Sequence, residues 1–270
     1  MISRPVEVEL HKLLSLKPGA SYLLGVSGGL DSIVLFHVFK ELSQKIDFSW
    51  KVAYVHHGQG SVETVDYRAE AYQFVKEICA LSSVELLSNI DHLDELPEDT
   101  LSSEEALRNF RREQLSRLKS ESSSEWVVLA HHRDDLYETR LMRMIRGTGP
   151  EGLTGMSLES DFWYRPLLGL RRDQLLEYAQ GQDLNWLEDP SNKETRYFRN
   201  WMRNSWLPAL EDYRPGANQS FMSSLESMVE SMSSGESYND CFEEGKILRS
   251  EFIGLSLAAK RQILAQFLKT

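Results

Sequence analysis

Four times in the first 146 residues a short apolar run gives way to an amphipathic stretch, and that alternation limits the possible folds more than any other feature. Tyr22–Val26, Trp50–His56, Val84–Leu87 and Trp126–Ala130 read as buried strands. Asp31 to Ser43, Val62 to Leu81, Ser103 to Leu118 and His131 to Arg146 follow them with apolar residues at helical spacing, such as Leu30, Val34, Leu35, Val38 and Leu42. Strand, helix, strand in repetition builds βαβ units, hence an α/β fold around a parallel sheet with helices on both faces. Gly147-Thr148-Gly149-Pro150 breaks the pattern. Beyond it come one strand (Phe162–Tyr164) and helical segments near Arg171–Gln182 and Tyr197–Leu210. After the break at Arg214-Pro215-Gly216, residues 216–270 read as a small helical appendage to a catalytic domain spanning 1–215, with Met222–Met232 and Leu255–Leu268 as its helices. Fifty-five residues are too few for a core of their own.

The chain carries 30 Lys and Arg against 41 Asp and Glu, a net charge of −11, with 26% charged and 41% hydrophobic residues. That balance fits a soluble globular protein. No run approaches the ~18 apolar residues of a membrane span, and the first twenty residues hold Arg4, Glu7, Glu9, Lys12 and Lys17, so no signal-peptide core is visible. Two cysteines, Cys79 and Cys241, cannot make a disulfide framework or a four-cysteine zinc site. A reducing, cytoplasmic setting is the expectation. The acidic surplus does not exclude nucleic acid, because it is uneven: Asp91 to Glu105 is an acidic block, whereas Arg108, Arg111 and Arg112, then Arg140, Arg143 and Arg146, then Arg196, Arg199 and Arg203 form basic groups.

Ser27-Gly28-Gly29-Leu30-Asp31-Ser32 stands where the first strand turns into the first helix. Free backbone N–H groups and the positive helix end suit an anion there, two glycines allow close approach, and two serines add donors. No Lys follows, so it is not a Walker A loop; G-x-G-x-x-G is absent too. A carboxylate beside a phosphate nest repels its ligand unless a divalent cation lies between, so Asp31 points to Mg²⁺.

This hexapeptide matches the S-G-G-x-D-S signature of the N-type ATP pyrophosphatases, the PP-loop superfamily. The resemblance implies an adenine nucleotide α-hydrolase-like fold and cleavage of ATP between its α- and β-phosphates to adenylate an acceptor oxygen. Later segments narrow the acceptor: Ala53-Tyr54-Val55-His56-His57-Gly58, then Leu129-Ala130-His131-His132-Arg133-Asp134-Asp135 on to Glu138, then Arg165-Pro166, Trp186 to Asn192, and Arg199-Asn200-Trp201-Met202-Arg203. In this order they resemble the bacterial tRNA(Ile)-lysidine synthetases from about Leu23 to Leu210. That resemblance implies a ligase that uses ATP and free L-lysine to convert the wobble cytidine of a CAU-anticodon tRNA(Ile) to lysidine, releasing AMP and pyrophosphate. Family members are often homodimers.

By the same resemblance Ser27 to Ser32 and His56 hold ATP, and Asp31 and Asp135 hold Mg²⁺. Asp31, His131, Asp135 and Arg199 are the catalytic group, and Arg108, Arg111, Arg112, Glu138 and Arg203 bind substrate. Whether Arg111 or Arg112 is the functional arginine stays open, because the family usually has an aromatic where Arg112 stands. Asp135 is the first candidate for general base; Glu138, Asp189 and Asn192 are candidates for the lysine pocket. His131 and Asp135, four apart, share a helix face if the helix has begun there. Two readings compete: a PP-loop tRNA thiolase, which would need paired cysteines, and a non-catalytic ATP- or RNA-binding module.

Overall fold

A computed structural model describes residues 16–57, 62–90, 104–195, 197–233, 242–243, 246–247 and 260. It divides into two compact units, residues 1–222 and 223–270. The first contains β1 (Ser21–Gly25), α1 (Leu30–Ser43), β2 (Ser49–Tyr54), α2 (Val62–Leu81), β3 (Leu86–Ser88), α3 (Glu104–Glu121), β4 (Trp126–Val128) and α4 (Arg133–Arg146). The single-turn α5 (Pro150–Leu153), β5 (Glu159–Ser160), β6 (Trp163–Tyr164) and α6 (Arg172–Gly181) follow. Last come α7 (Phe198–Trp201), which continues through a π turn (Met202–Trp206) into α8 (Leu207–Tyr213), and α9 (Ala217–Ser233). Among the described residues of the second unit are the end of α9 and a short antiparallel pair, β7 (Phe242–Glu243) with β8 (Lys246–Ile247). Apart from Lys260, the helix expected over Leu255–Leu268 lies outside the described residues, as do the acidic stretch from Asp91 to Asp99 and Cys241.

The main sheet has the order β3-β2-β1-β4-β6-β5. Every pairing is parallel except β5 with β6, a two-residue antiparallel edge that the sequence pattern did not reveal. The chain steps outward from β1 to β3, and α3 carries it back to β4 on the other side of β1. The order therefore reverses at β1, and the crevice at the carboxyl ends of β1 and β4 is where open α/β sheets take ligands.

Strand alternation sorts the core between two faces. Tyr22, Leu24, Val52, Tyr54, Val128 and Tyr164 face one way, against Val34, Leu35, Val38 and Phe39 of α1, Ala71 and Val75 of α2, and Leu175 and Tyr178 of α6. Leu23, Ala53, Val127, Leu129 and Trp163 face the other way, under Leu115 and Leu118 of α3. Each fully buried Leu or Phe here contributes about 1.5–3 kcal/mol. Two elements start later than their apolar patterns do: β3 at Leu86 and α4 at Arg133.

Candidate active site

The loop after β1 is built for close approach to a ligand. Gly28 has φ +86°, a left-handed conformation that favours glycine. A Cβ there would meet Phe74 Cδ1 at 3.6 Å and Ala71 Cβ at 3.7 Å. The loop is braced internally: Ser32 Oγ donates to the Gly29 carbonyl at 2.8 Å and accepts from the Ser27 N–H at 3.2 Å. It is braced externally by the Leu187 N–H, which donates to the Gly28 carbonyl at 2.9 Å. Gly29 begins α1 with no side-chain cap, and Leu30 is buried behind it. A 14-residue helix thus aims its positive end out of this loop.

Asp31, in the first turn of α1, carries the decisive anomaly. Its Oδ1 is buried with no hydrogen-bond partner, while Oδ2 lies 3.7 Å from His132 Nε2. Burial raises the Asp31 pKa, with Asp135 adding to the rise and His132 opposing it. An orphaned carboxylate oxygen beside a phosphate cradle fits Mg²⁺, which binds through one or two carboxylates plus phosphates and water. Asp135 differs, since both its oxygens are taken. Oδ2 accepts the His132 N–H at 3.1 Å and Oδ1 accepts Arg203 Nη2 at 3.1 Å. The geometry therefore favours Asp31 over Asp135 as the metal carboxylate.

Neighbouring histidines part company here. α4 begins at Arg133, so His131 precedes the helix and does not share its face with Asp135; His132 is the N-cap, in a reciprocal capping arrangement with Asp135. Val128 and Ala130 belong to the α1 side and Val127 and Leu129 to the α3 side, so continued alternation sends His132 toward Asp31 and His131 away from it. Burial works against a charge on His132, but Asp134, Asp135 and Asp31 outweigh it and raise its pKa. Burial instead drives His131 down to about 3, against the pull of Asp135 and with the push of Arg111, Arg165 and Arg108. His132 is thus the histidine at the nucleotide loop, where His131 was expected.

On the next turns of α4, Glu138 is buried and grips Arg203 through both oxygens, at 2.7 and 2.8 Å. Burial alone would weaken the charge on Arg203, but Glu138 and Asp135 hold its pKa above the ordinary value. Arg199 donates to Thr139 Oγ1 at 3.0 Å and its Nε stands 4.0 Å from Glu138. Arg203 sits in the π turn, a device that recurs at functional sites. The same segment also holds the strap that pins the nucleotide loop. Asn200 Nδ2 donates to the carbonyls of Ser191 (2.8 Å) and Glu194 (3.1 Å), and Asn204 Nδ2 to that of Asn192 (2.7 Å). Asp189 accepts the Ser191 N–H at 2.8 Å, which makes it a turn-former. His56 is fixed by its backbone, its N–H donating to Asn89 Oδ1 and its carbonyl accepting from Asn89 Nδ2.

Of the α3 arginines, Arg108 and Arg112 are exposed and Arg111 half-buried. The Arg112 guanidinium lies over the Trp163 ring, 5.1 Å from its centroid. All three lie on the opposite sheet face from Asp31, in company with His57, His131 and Arg165. The last of these, buried at the end of β6, was singled out by its segment but given no role; the alternation of β6 would have placed it.

A PP-loop domain family model matches residues 2–210. Two curated relatives are tRNA(Ile)-lysidine synthases. That of Bdellovibrio bacteriovorus is 34% identical over 97% of this chain and 80% of its own length. That of Xanthomonas axonopodis pv. citri is 34% identical over 79% of this chain and 48% of its own. The chain thus spans most of the first relative and about half of the second. Among solved structures, the U34-tRNA thiolase NcsA from Methanococcus maripaludis, with its [4Fe-4S] cluster, aligns with a TM-score of 0.66 at 21% identity. The alignment covers 84% of this chain and 78% of that one, a likeness of fold.

Proposed function

We propose, for a chain that belongs to the PP-loop domain family and within it to the tRNA(Ile)-lysidine synthases, that it ligates L-lysine to C2 of the wobble cytidine of a CAU-anticodon tRNA(Ile) at the expense of ATP. The observation that carries this reading is the orphaned Asp31 oxygen beside the Gly28-Gly29 turn, facing a charged network on α4. The loop amides beyond Ser27, whose own N–H is bonded to Ser32 Oγ, receive the β- and γ-phosphates, and Asp31 would hold Mg²⁺, which when bound would supply positive charge to offset that of the phosphates.

The cytidine leaves its stack to enter the crevice. Its C2 oxygen attacks the α-phosphorus, pyrophosphate departs and an adenylated base results. The lysine ε-amine, once deprotonated, attacks C2, and the C–O bond breaks to release AMP. Asp135 and Glu138 are the carboxylates at hand to receive the ammonium and its proton, provided Arg203 yields to the incoming cation. His132, where burial is outweighed by Asp134, Asp135 and Asp31 so that its pKa is raised, holds Asp135 in place through its backbone N–H.

ATP–pyrophosphate exchange tests the reading. Exchange that depends on the CAU tRNA, and consumption of the adenylate only when lysine is added, are expected; exchange indifferent to RNA would reject it. Asp135→Ala is expected to abolish lysine transfer and leave tRNA affinity within a few-fold; near-normal turnover would return the base role to another group. A thiolase reading finds little support: Cys79 is buried, with its thiol pushed up to about 12 by burial, where no thiolate forms.

A further inference from the structure

β2, β4 and β6 end at the same edge of the sheet, and beyond their last core residues the alternation puts His57, His131 and Arg165 on the face that α3 covers. α3 brings Arg108, Arg111 and Arg112 to that edge. These groups feel one another: Arg111 acts on both histidines, Arg108 and Arg165 on His131, and Arg112 and Arg108 on Arg165. Phe110 sets its ring 6.1 Å from that of His57. Arg165 is held rigidly, its Nη1 donating to the Ser157 carbonyl at 3.1 Å and its N–H to that of Leu158 at 2.8 Å.

Three polar atoms in this cluster are buried with no hydrogen-bond partner: His57 Nδ1, His131 Nδ1 and Arg165 Nε. The carboxylate that acts on Arg111 and His131 is Asp135, already bound to Arg203. Buried guanidinium charge with unspent donors calls for an anion. Burial and the arginines push both His57 and His131 down to about 3, so near neutral pH each ring offers hydrogen bonding without charge.

We propose that this cluster is a second phosphate-binding subsite, on the opposite sheet face from the nucleotide loop, and that it takes the RNA phosphodiester next to the reacting cytidine. The assignment rests on the tRNA reading above. A phosphate could also come from the tail of ATP, but the loop that cradles that tail is built on the other face, with Asp31 and His132.

The test measures two affinities on the full chain: a fluorescent anticodon stem-loop RNA with a CAU anticodon, followed by anisotropy across a salt series, and a non-hydrolysable ATP analogue with Mg²⁺, by calorimetry. Arg165→Gln and Arg111→Gln are each expected to weaken RNA binding about tenfold and to reduce the salt slope by about 0.7, the share of one single-strand phosphate. The ATP analogue should bind as to wild type, and Arg165→Lys should restore part of the loss. Lost affinity for the analogue with RNA binding intact would assign the cluster to the nucleotide and overturn the proposal; two unchanged affinities would overturn it as well. Wild-type protein that holds the analogue and ignores the RNA would bring down the tRNA reading itself. Should Arg165→Gln melt early, Arg111→Gln on the half-buried side of α3 carries the decision.

Discussion

His131 and His132 are adjacent in the chain and opposite in proton linkage. His132 has its pKa raised in the fold, so it stabilises below its ordinary value near 6.5, and that contribution is lost as pH rises through the folded value. His131, depressed to about 3, does the reverse: the unfolded chain takes up a proton that the fold refuses, and stability drains as pH falls from about 6.5 toward 3. Each proton is worth at most about 1.4 kcal/mol per pH unit. Chemical denaturation between pH 5 and pH 8, as a round working range, is therefore expected to show a flatter acid limb for His131→Asn and, for His132→Asn, the loss of the fall in stability that sets in above about 6.5. Parallel curves would mean that neither ring titrates as its surroundings dictate. Gly28→Ala belongs to this scale too. The left-handed backbone alone costs about 1–2 kcal/mol, while the new methyl would meet Ala71 and Phe74 only at ordinary contact distance, so a lower melting temperature and weaker ATP binding are expected together from the strained loop.

At the scale of elements, the segment from α7 into the π turn braces both halves of the site. Its asparagines hold the 187–194 strap, whose Leu187 N–H in turn bonds the nucleotide loop, and its arginines fasten α4. Asn200→Ala removes two hydrogen bonds and is expected to cost about 1–3 kcal/mol of stability and to raise the KM for ATP more than it lowers kcat; an unchanged KM would make Asn200 a fold residue only. The sequence made much of this legible. The apolar runs and their helical sequels located β1, β2, β4 and α1 to α4 because a parallel sheet buried on both faces leaves continuous apolar strands. The glycine turn located the nucleotide loop. What escaped were features of two to five residues: the β5 edge, whose Glu159 and Ser160 are exposed and carry no apolar signal, and the π turn, whose Met202 to Trp206 read as ordinary helix. His131 joined the catalytic group through the family resemblance alone; strand parity, already implied by Val127 and Leu129, sends it to the other face from Asp31.

For the whole molecule, the order β3-β2-β1-β4-β6-β5 brings the carboxyl ends of five parallel strands to one rim, with the chemistry gathered around β1 and β4. Among the described residues no helix is long and apolar enough to cross a membrane. Residues 223–270 form a compact unit of their own, and a chain cut after Pro215 is expected to keep ATP binding while losing gel-shift affinity for the tRNA; equal shifts would free the tail of any part in recognition. The parity of the β4 terminus reaches furthest. If one imidazole looks toward the triphosphate and its neighbour toward the ribose–phosphate chain, the two reactants occupy separate antechambers and neither blocks the other's door. Steady-state kinetics should then be random rather than ordered, with a dead-end nucleotide analogue giving noncompetitive patterns against RNA.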